Sequence, residues 1–224
     1  MKKIKQTSLD AGRFSTWLRN IRKVLAFESY GMNVPCGECH ACCKSSYFVH
    51  IKPEETRTLC RIPKELLFPA TLLPIGHMVL GYNEHGCCPM FVGDKCSIYR
   101  FRPVTCRSFD CRVLAASGIT AKDNNLIAQH ARRWKFSCPT KRDRNLLSAV
   151  QAAAMFLQRY PECLRDNLAL RDEIQLAVAA IKVCDVFFNN NVTTVNLVRA
   201  THDSEIAKKV LKSYKMFEKR KRAA

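Results

Sequence analysis

Eight cysteines with knuckle spacing carry the clearest chemistry in this chain: Cys36, Cys39, Cys42 and Cys43 within eight residues, then Cys88, Cys96, Cys106 and Cys111. A C-x2-C step lets two sulfurs converge on one ion from a tight turn, and thiolates are the ligands that zinc and iron–sulfur clusters share. Cys36, Cys39 and Cys42 repeat the first three ligands of a bacterial ferredoxin run, whose remaining ligand comes from a distant Cys-Pro, and Cys88-Pro89 supplies such a pair. C-x2-C followed by a distant pair of cysteines is equally a structural zinc pattern. Cys42 and Cys43 are neighbours whose side chains diverge in extended backbone, so the two are expected to serve different centres, or one of them none.

Eight thiols suffice for two tetrahedral sites, for a four-iron cluster plus a zinc, or for one site with spares. Four thiolates on zinc, or on an oxidised four-iron cluster, leave about two net negative charges. Arg100, Arg102, Arg107 and Arg112 stand in sequence where a guanidinium compensates that charge. His40, His50, His77, His85, His130 and His202 are scattered and read as surface or hydrogen-bonded side chains. Cys60, Cys163 and Cys184 sit in apolar helical settings and read as core fillers, with Cys87 and Cys138 in reserve near the site.

The pattern CxxCxxCC, a short strand followed by Pro53-Glu54-Glu55, and then CP…CSIYRFRPVTCR closely resembles the YkgJ-like cysteine-cluster family, described as a zinc- or iron-chelating domain. The match spans about residues 36–111. Carried over residue by residue, the resemblance implies metal ligation by Cys36, Cys39, Cys42, Cys43, Cys88, Cys96 and Cys106, with Cys111 as the eighth. It also marks Arg102 and Arg107, in the RPxxCR segment, as cofactor-supporting residues. The resemblance implies chelation of zinc or iron, and the ferredoxin-like run favours an iron–sulfur cluster, 4Fe–4S, over zinc as the expected cofactor.

Composition bounds the rest. With 224 residues the chain is long enough to bury a real core without covalent staples. Thirteen cysteines are an odd number, and the start of the sequence lacks the apolar run of a secretory signal, so reduced thiols and a cytoplasmic location are expected. The net charge of +18 concentrates in residues 1–30, 100–144 and 199–224, which carry +5, +8 and +6. That distribution permits a polyanionic partner, a nucleic acid or an anionic surface, with Trp134 and Phe136 as stacking candidates beside Arg132, Arg133 and Lys135. Their plainer reading is a helix end with a buried tryptophan. No apolar run reaches the length of a transmembrane segment.

The elements that must position the cysteines follow from periodicity. Phe14, Trp17, Leu18, Ile21 and Leu25 predict a basic amphipathic helix within residues 1–30, opened by a Thr7/Asp10 capping box. Residues 31–140 read as the cysteine-cluster module, with strands at 47–51 and 78–82, a short helix over 52–60, and a Gly93-Asp94 turn between Cys88 and Cys96. Residues 145–224 read as helical with a fraying basic tail, broken at Pro161 and at 189–191. The fold class expected is therefore mainly α, a small irregular cysteine-rich metal-binding module with short strands clasped by flanking amphipathic helices.

No GxGxxG, Walker loop, HExxH or GxSxG occurs, and no catalytic role is assigned. The function expected is metal binding, with an iron–sulfur oxidoreductase or redox sensor and a zinc-dependent nucleic-acid-binding module as alternatives.

Overall fold

The computed structural model describes residues 7–26, 31–32, 34–71, 73–120, 125–164, 172–189 and 204–223. In chain order the elements are β1 (Leu9–Arg13), α1 (Phe14–Leu25), β2 (Val49–Ile51), α2 (Thr56–Leu59), β3 (Leu67–Pro69), β4 (Met78–Leu80), β5 (Phe91–Val92) and β6 (Lys95–Cys96). Then follow α3 (Val104–Ser108), α4 (Arg112–Ser117), α5 (Leu126–Ala131), β7 (Trp134–Ser137), α6 (Lys141–Arg159), α7 (Glu173–Asn189) and α8 (Ser204–Ala223). The protein is mainly α. It divides into a helical unit, Met1–Ser29 with Asp110–Lys122 and Ala131–Ala224, and a cysteine unit, Tyr30–Phe109 with Asp123–His130. The division falls at Phe109 rather than near residue 140, so the segment that carries Cys111 belongs with the helices. No helix among the described residues is long and apolar enough to cross a membrane.

In the helical unit, α6 and α7 pack through small residues, Ala152, Ala153 and Ala154 on one and Ala177, Ala179 and Ala180 on the other, all buried. Small side chains let the two helices approach closely. Phe156 and Phe187, with ring centroids 5.6 Å apart, fill the remaining space. Phe14, Trp17, Leu18 and Ile21 of the α1 stripe are buried as their periodicity predicts, Val24 takes the buried place expected of Leu25, and Arg22 clamps Asp185 of α7 through two 2.6 Å hydrogen bonds.

The capping box predicted at Thr7 and Asp10 does not form. Residues 9–13 are instead a strand paired in parallel with β7, and the Asp10 carboxylate accepts from Gly12 N–H at 2.8 Å. The pairing partner lies more than a hundred residues away, so a local signal had no access to it. Gly12, at φ +81°, sits at the bulge in that pairing. Trp134 is accordingly in a strand, buried, and Phe136 packs between Phe14 and Trp17 at 5.1 and 4.7 Å. Both rings are used for packing and neither is presented for stacking.

Helix α6 begins at Lys141, four residues before the predicted start, because Thr140 and Asp143 form a reciprocal capping box. The tail continues as helix to Ala223 rather than fraying. Leu168, of the second predicted helix, and Asn190 and Asn191, of the predicted break, lie outside the described residues.

In the cysteine unit, β4 is the centre of an antiparallel sheet ordered β2–β4–β3, with Val49 and Leu67 both opposite Leu80. Both predicted strands are present but shorter, β3 was not anticipated, and the predicted helix over 52–60 contracts to the single turn of α2. The hairpin β5–β6 turns through Gly93 and Asp94, both with positive φ, as the Gly-Asp pair predicts. One cluster of buried apolar side chains, Ile51, Ile62, Leu80, Met90 and Ile98, lies inside this unit.

Asp143 joins three parts of the helical unit. Hydrogen bonds from the Ser15 hydroxyl, from the Thr140 hydroxyl at 2.5 Å, from Arg13 Nε at 3.2 Å and from Ser15 N–H at 3.1 Å hold its fully buried carboxylate well below the usual carboxylate range. A depressed native pKa contributes stability that is present above the unfolded value, about 3.9, and lost as pH falls toward the native one. Asp143→Asn is therefore expected to lower Tm at pH 7, followed by circular dichroism, with the difference from wild type shrinking below about pH 4. An equal difference at pH 7 and pH 2.5 would contradict this role.

Candidate metal centre

Four separate segments bring thiols together in the cysteine unit. Cys43 lies on a 3₁₀ turn over Ala41–Lys44, Cys88 opens the loop into β5, Cys96 ends β6 and Cys106 lies in α3. Each of the six pairs among these four is close enough for one thiolate to oppose ionisation of the other. Burial, then the thiols of Cys88, Cys96, Cys39 and Cys87, push Cys43 up to about 11. Cys106, which is exposed on α3, is pushed up to about 12 by desolvation from the segments around its thiol, then by Cys88, Cys43 and Cys96, with the Arg102 guanidinium acting in the opposite direction. Cys88 is raised by burial, while backbone hydrogen bonds from Met90 and Phe91 favour its thiolate. Such N–H···S contacts tune the sulfur of metal-bound cysteines.

Backbone bonds fix the approach. Cys88 N–H donates to Cys43 O at 2.8 Å and Phe91 N–H to Cys88 O at 2.9 Å, which joins the first knuckle to the hairpin. His40 packs its ring on Phe91 at 5.1 Å, and the Lys44 ammonium lies 5.0 Å over the same ring. Gly37, at φ +55°, turns the chain so that Cys39 N–H reaches Cys36 O at 3.0 Å. Gly86, at φ +71°, holds a backbone conformation that other residues rarely adopt, with Ser46 Oγ against it, and Ser46 N–H donates to Gly86 O at 2.9 Å.

The helix that carries Cys106 is fastened to β2 and α2 by side chains that sequence reasoning passed over. Glu55, read from sequence as an acid favoured by a helix dipole, accepts from Val104 N–H at 2.6 Å and from Lys52 N–H at 3.0 Å. Thr105 donates to His50 O at 2.7 Å, and Thr58 donates to Phe101 O at 2.8 Å. Nothing in the spacing of Glu55 and Val104, 49 residues apart, announces the contact.

The other candidates distribute as follows. Cys39 and Cys87 flank the four, acting on Cys43. Cys36 and Cys42 are exposed on the first knuckle. Cys111 is buried in the helical unit, where Trp134 Nε1 donates to its sulfur at 3.2 Å. Arg102 stacks on Tyr99, 3.9 Å from the ring centroid, within reach of Cys106. Arg107 lies against Gly31, and its buried Nε has no hydrogen-bond partner among the described residues. Arg112 pairs with Asp110 at 2.8 Å inside the helical unit, where Trp17 Nε1 also donates to Asp110 at 2.8 Å. Cys60 is exposed, unlike the core filler expected, whereas Cys184 is fully buried.

Among the described residues, no group of three or more His, Cys, Asp or Glu side chains forms a set that could hold an ion as the side chains stand. The sulfurs of Cys43, Cys88, Cys96 and Cys106 share one neighbourhood, and rotation about χ1 swings each between staggered positions. No family model, curated protein or solved structure matches the chain.

In reduced, metal-free protein, Cys106 is expected to be among the slowest thiols to react with iodoacetamide at pH 8, because its raised pKa leaves it protonated. Its rate should climb about tenfold per pH unit through the alkaline range, measured by peptide mass spectrometry. Labelling of Cys106 as fast as Cys60, which is exposed like it, would refute the crowding described above.

Proposed function

We propose that this is a metal-binding protein whose main centre is held by the thiolates of Cys43, Cys88, Cys96 and Cys106. The observation that carries the reading is the mutual proximity of these four thiols, with backbone bonds joining the knuckle to the hairpin and the Glu55 and Thr105 side chains fastening the helix of Cys106. Burial and neighbouring thiols oppose ionisation of Cys43, Cys88 and Cys106, and a divalent cation reverses that opposition by neutralising the thiolates it binds. Arg102, beside Cys106, and Arg107, with an unpaired donor in the same helix, supply positive charge and a hydrogen bond for the negative balance that remains.

Zinc is the metal this donor set suits best. The argument for a cluster ran through Cys36, Cys39 and Cys42 with Cys88, as in a ferredoxin run. The proposed centre runs through Cys43 instead, with one thiol from a knuckle, two from either side of a hairpin and one from a helix. Closed four-thiolate zinc is a structural centre, and it would tie together a unit whose buried apolar cluster is small. The resemblance to the YkgJ-like cysteine-cluster family implies chelation of zinc or iron by a larger set of cysteines that includes these four.

The test is anaerobic purification followed by metal and acid-labile sulfide analysis. The proposal predicts colourless protein with stoichiometric zinc, with Cys88→Ser and Cys106→Ser retaining less than half of it and Cys60→Ser retaining all. Brown protein containing sulfide would replace zinc by a cluster. Undiminished metal in both Cys88→Ser and Cys106→Ser would overturn the ligand assignment.

A further inference from the structure

Helix α8 has one face committed to the protein and another left open. Val210, Tyr214 and Phe217 are buried, and α8 packs against α7. From α7, Lys182 reaches Glu218 at 2.7 Å and lies 5.1 Å over the Tyr214 ring. On the other side Lys208, Lys212, Lys215 and Lys219 are all exposed. Their spacing of four, three and four residues places them in one stripe about 16 Å long.

Lys212, Lys215 and Lys219 have no ion pair among the described residues, and Lys208 shares Glu205 with Lys209. Glu205 pairs with Lys209 at 2.9 Å and Glu218 with Lys182. Lys208–Lys212 and Lys215–Lys219 are like-charge i,i+4 pairs, which disfavour a helix unless something offsets the repulsion. The helical unit as a whole holds 28 of the 37 basic residues and 12 of the 19 acidic ones.

We propose that this stripe docks the phosphate backbone of double-stranded nucleic acid without reading its sequence. A phosphate backbone offers regularly spaced negative charge to a rigid row of ammonium groups, and release of condensed counterions drives the association. An anionic membrane is disfavoured because interfacial helices bind by laying an apolar face into the headgroups, and that face of α8 is buried in the protein. Single strands are disfavoured because no exposed aromatic side chain of α8 offers a stacking platform; its exposed large apolar side chain is Met216.

The test is fluorescence anisotropy of a labelled duplex of about 20 base pairs and arbitrary sequence, titrated with the full chain between 50 and 200 mM KCl. Four phosphate contacts predict a slope of log K against log[KCl] of about −3.6, roughly a 150-fold loss over that range, and a steeper slope if other basic residues also bind. Lys212→Gln with Lys215→Gln should make the slope shallower by about 1.8, whereas Lys64→Gln, exposed in the cysteine unit, should leave it unchanged. Circular dichroism confirms that the variants keep their helix content. An unchanged slope in the double variant overturns the proposal, as does equal affinity for the corresponding single strand. So does binding to phosphatidylserine vesicles without binding to the duplex.

Discussion

Three thiols that resist ionising, Cys43, Cys88 and Cys106, with Cys96 beside them in a unit with a small apolar core, are the constraint on which the cysteine unit depends. Burial raises Cys43 and Cys106, and each additional thiolate raises them further, so without a cation the group rests as neutral thiols. Neutral thiols attract one another only weakly, yet the segments that carry them meet through main-chain bonds at Cys43, Cys88 and Phe91. Glu55, Thr58 and Thr105 then hold α3 against β2 and α2, which sets where Cys106 can lie. A bound metal would convert this arrangement from mutually opposed groups into mutually bridged ones, and its binding energy would become folding energy.

The helical unit solves a different problem with buried carboxylates. Asp143 draws Arg13, Ser15 and Thr140 to one point at the start of α6, and Asp110 draws Arg112 and Trp17 to another. Each carboxylate accepts several donors from distant parts of the chain, so each is satisfied only when those parts are in place. Removing one partner would leave a buried charge poorly solvated, which costs more than the bond itself contributes. Around these joints the alanine-rich faces of α6 and α7 supply close packing.

Helical periodicity was the most legible feature of the sequence. The stripe of α1, the apolar positions of α6 and α7, and the inward face of α8 all follow from spacing, because a 3.6-residue repeat is local information. The hairpin turn at Gly93 and Asp94 was equally local. What escaped was long-range: β1 pairs with β7, Glu55 reaches Val104, and Asp143 reaches Ser15. Of the eight cysteines singled out by spacing, the structure gathers Cys43, Cys88, Cys96 and Cys106, and gives Cys111 to the helical unit as the partner of Trp134. Spacing identified the residue type and the region, while the choice among thiols depended on backbone contacts across forty or more residues that no motif encodes.

The central claim is that one metal ion sits among four sulfurs. X-ray absorption at the zinc edge of the purified full chain tests it most directly, because the first coordination shell reports both donor type and number. Four sulfur scatterers at about 2.3 Å are expected. A shell dominated by nitrogen or oxygen at about 2.0–2.1 Å would contradict the account.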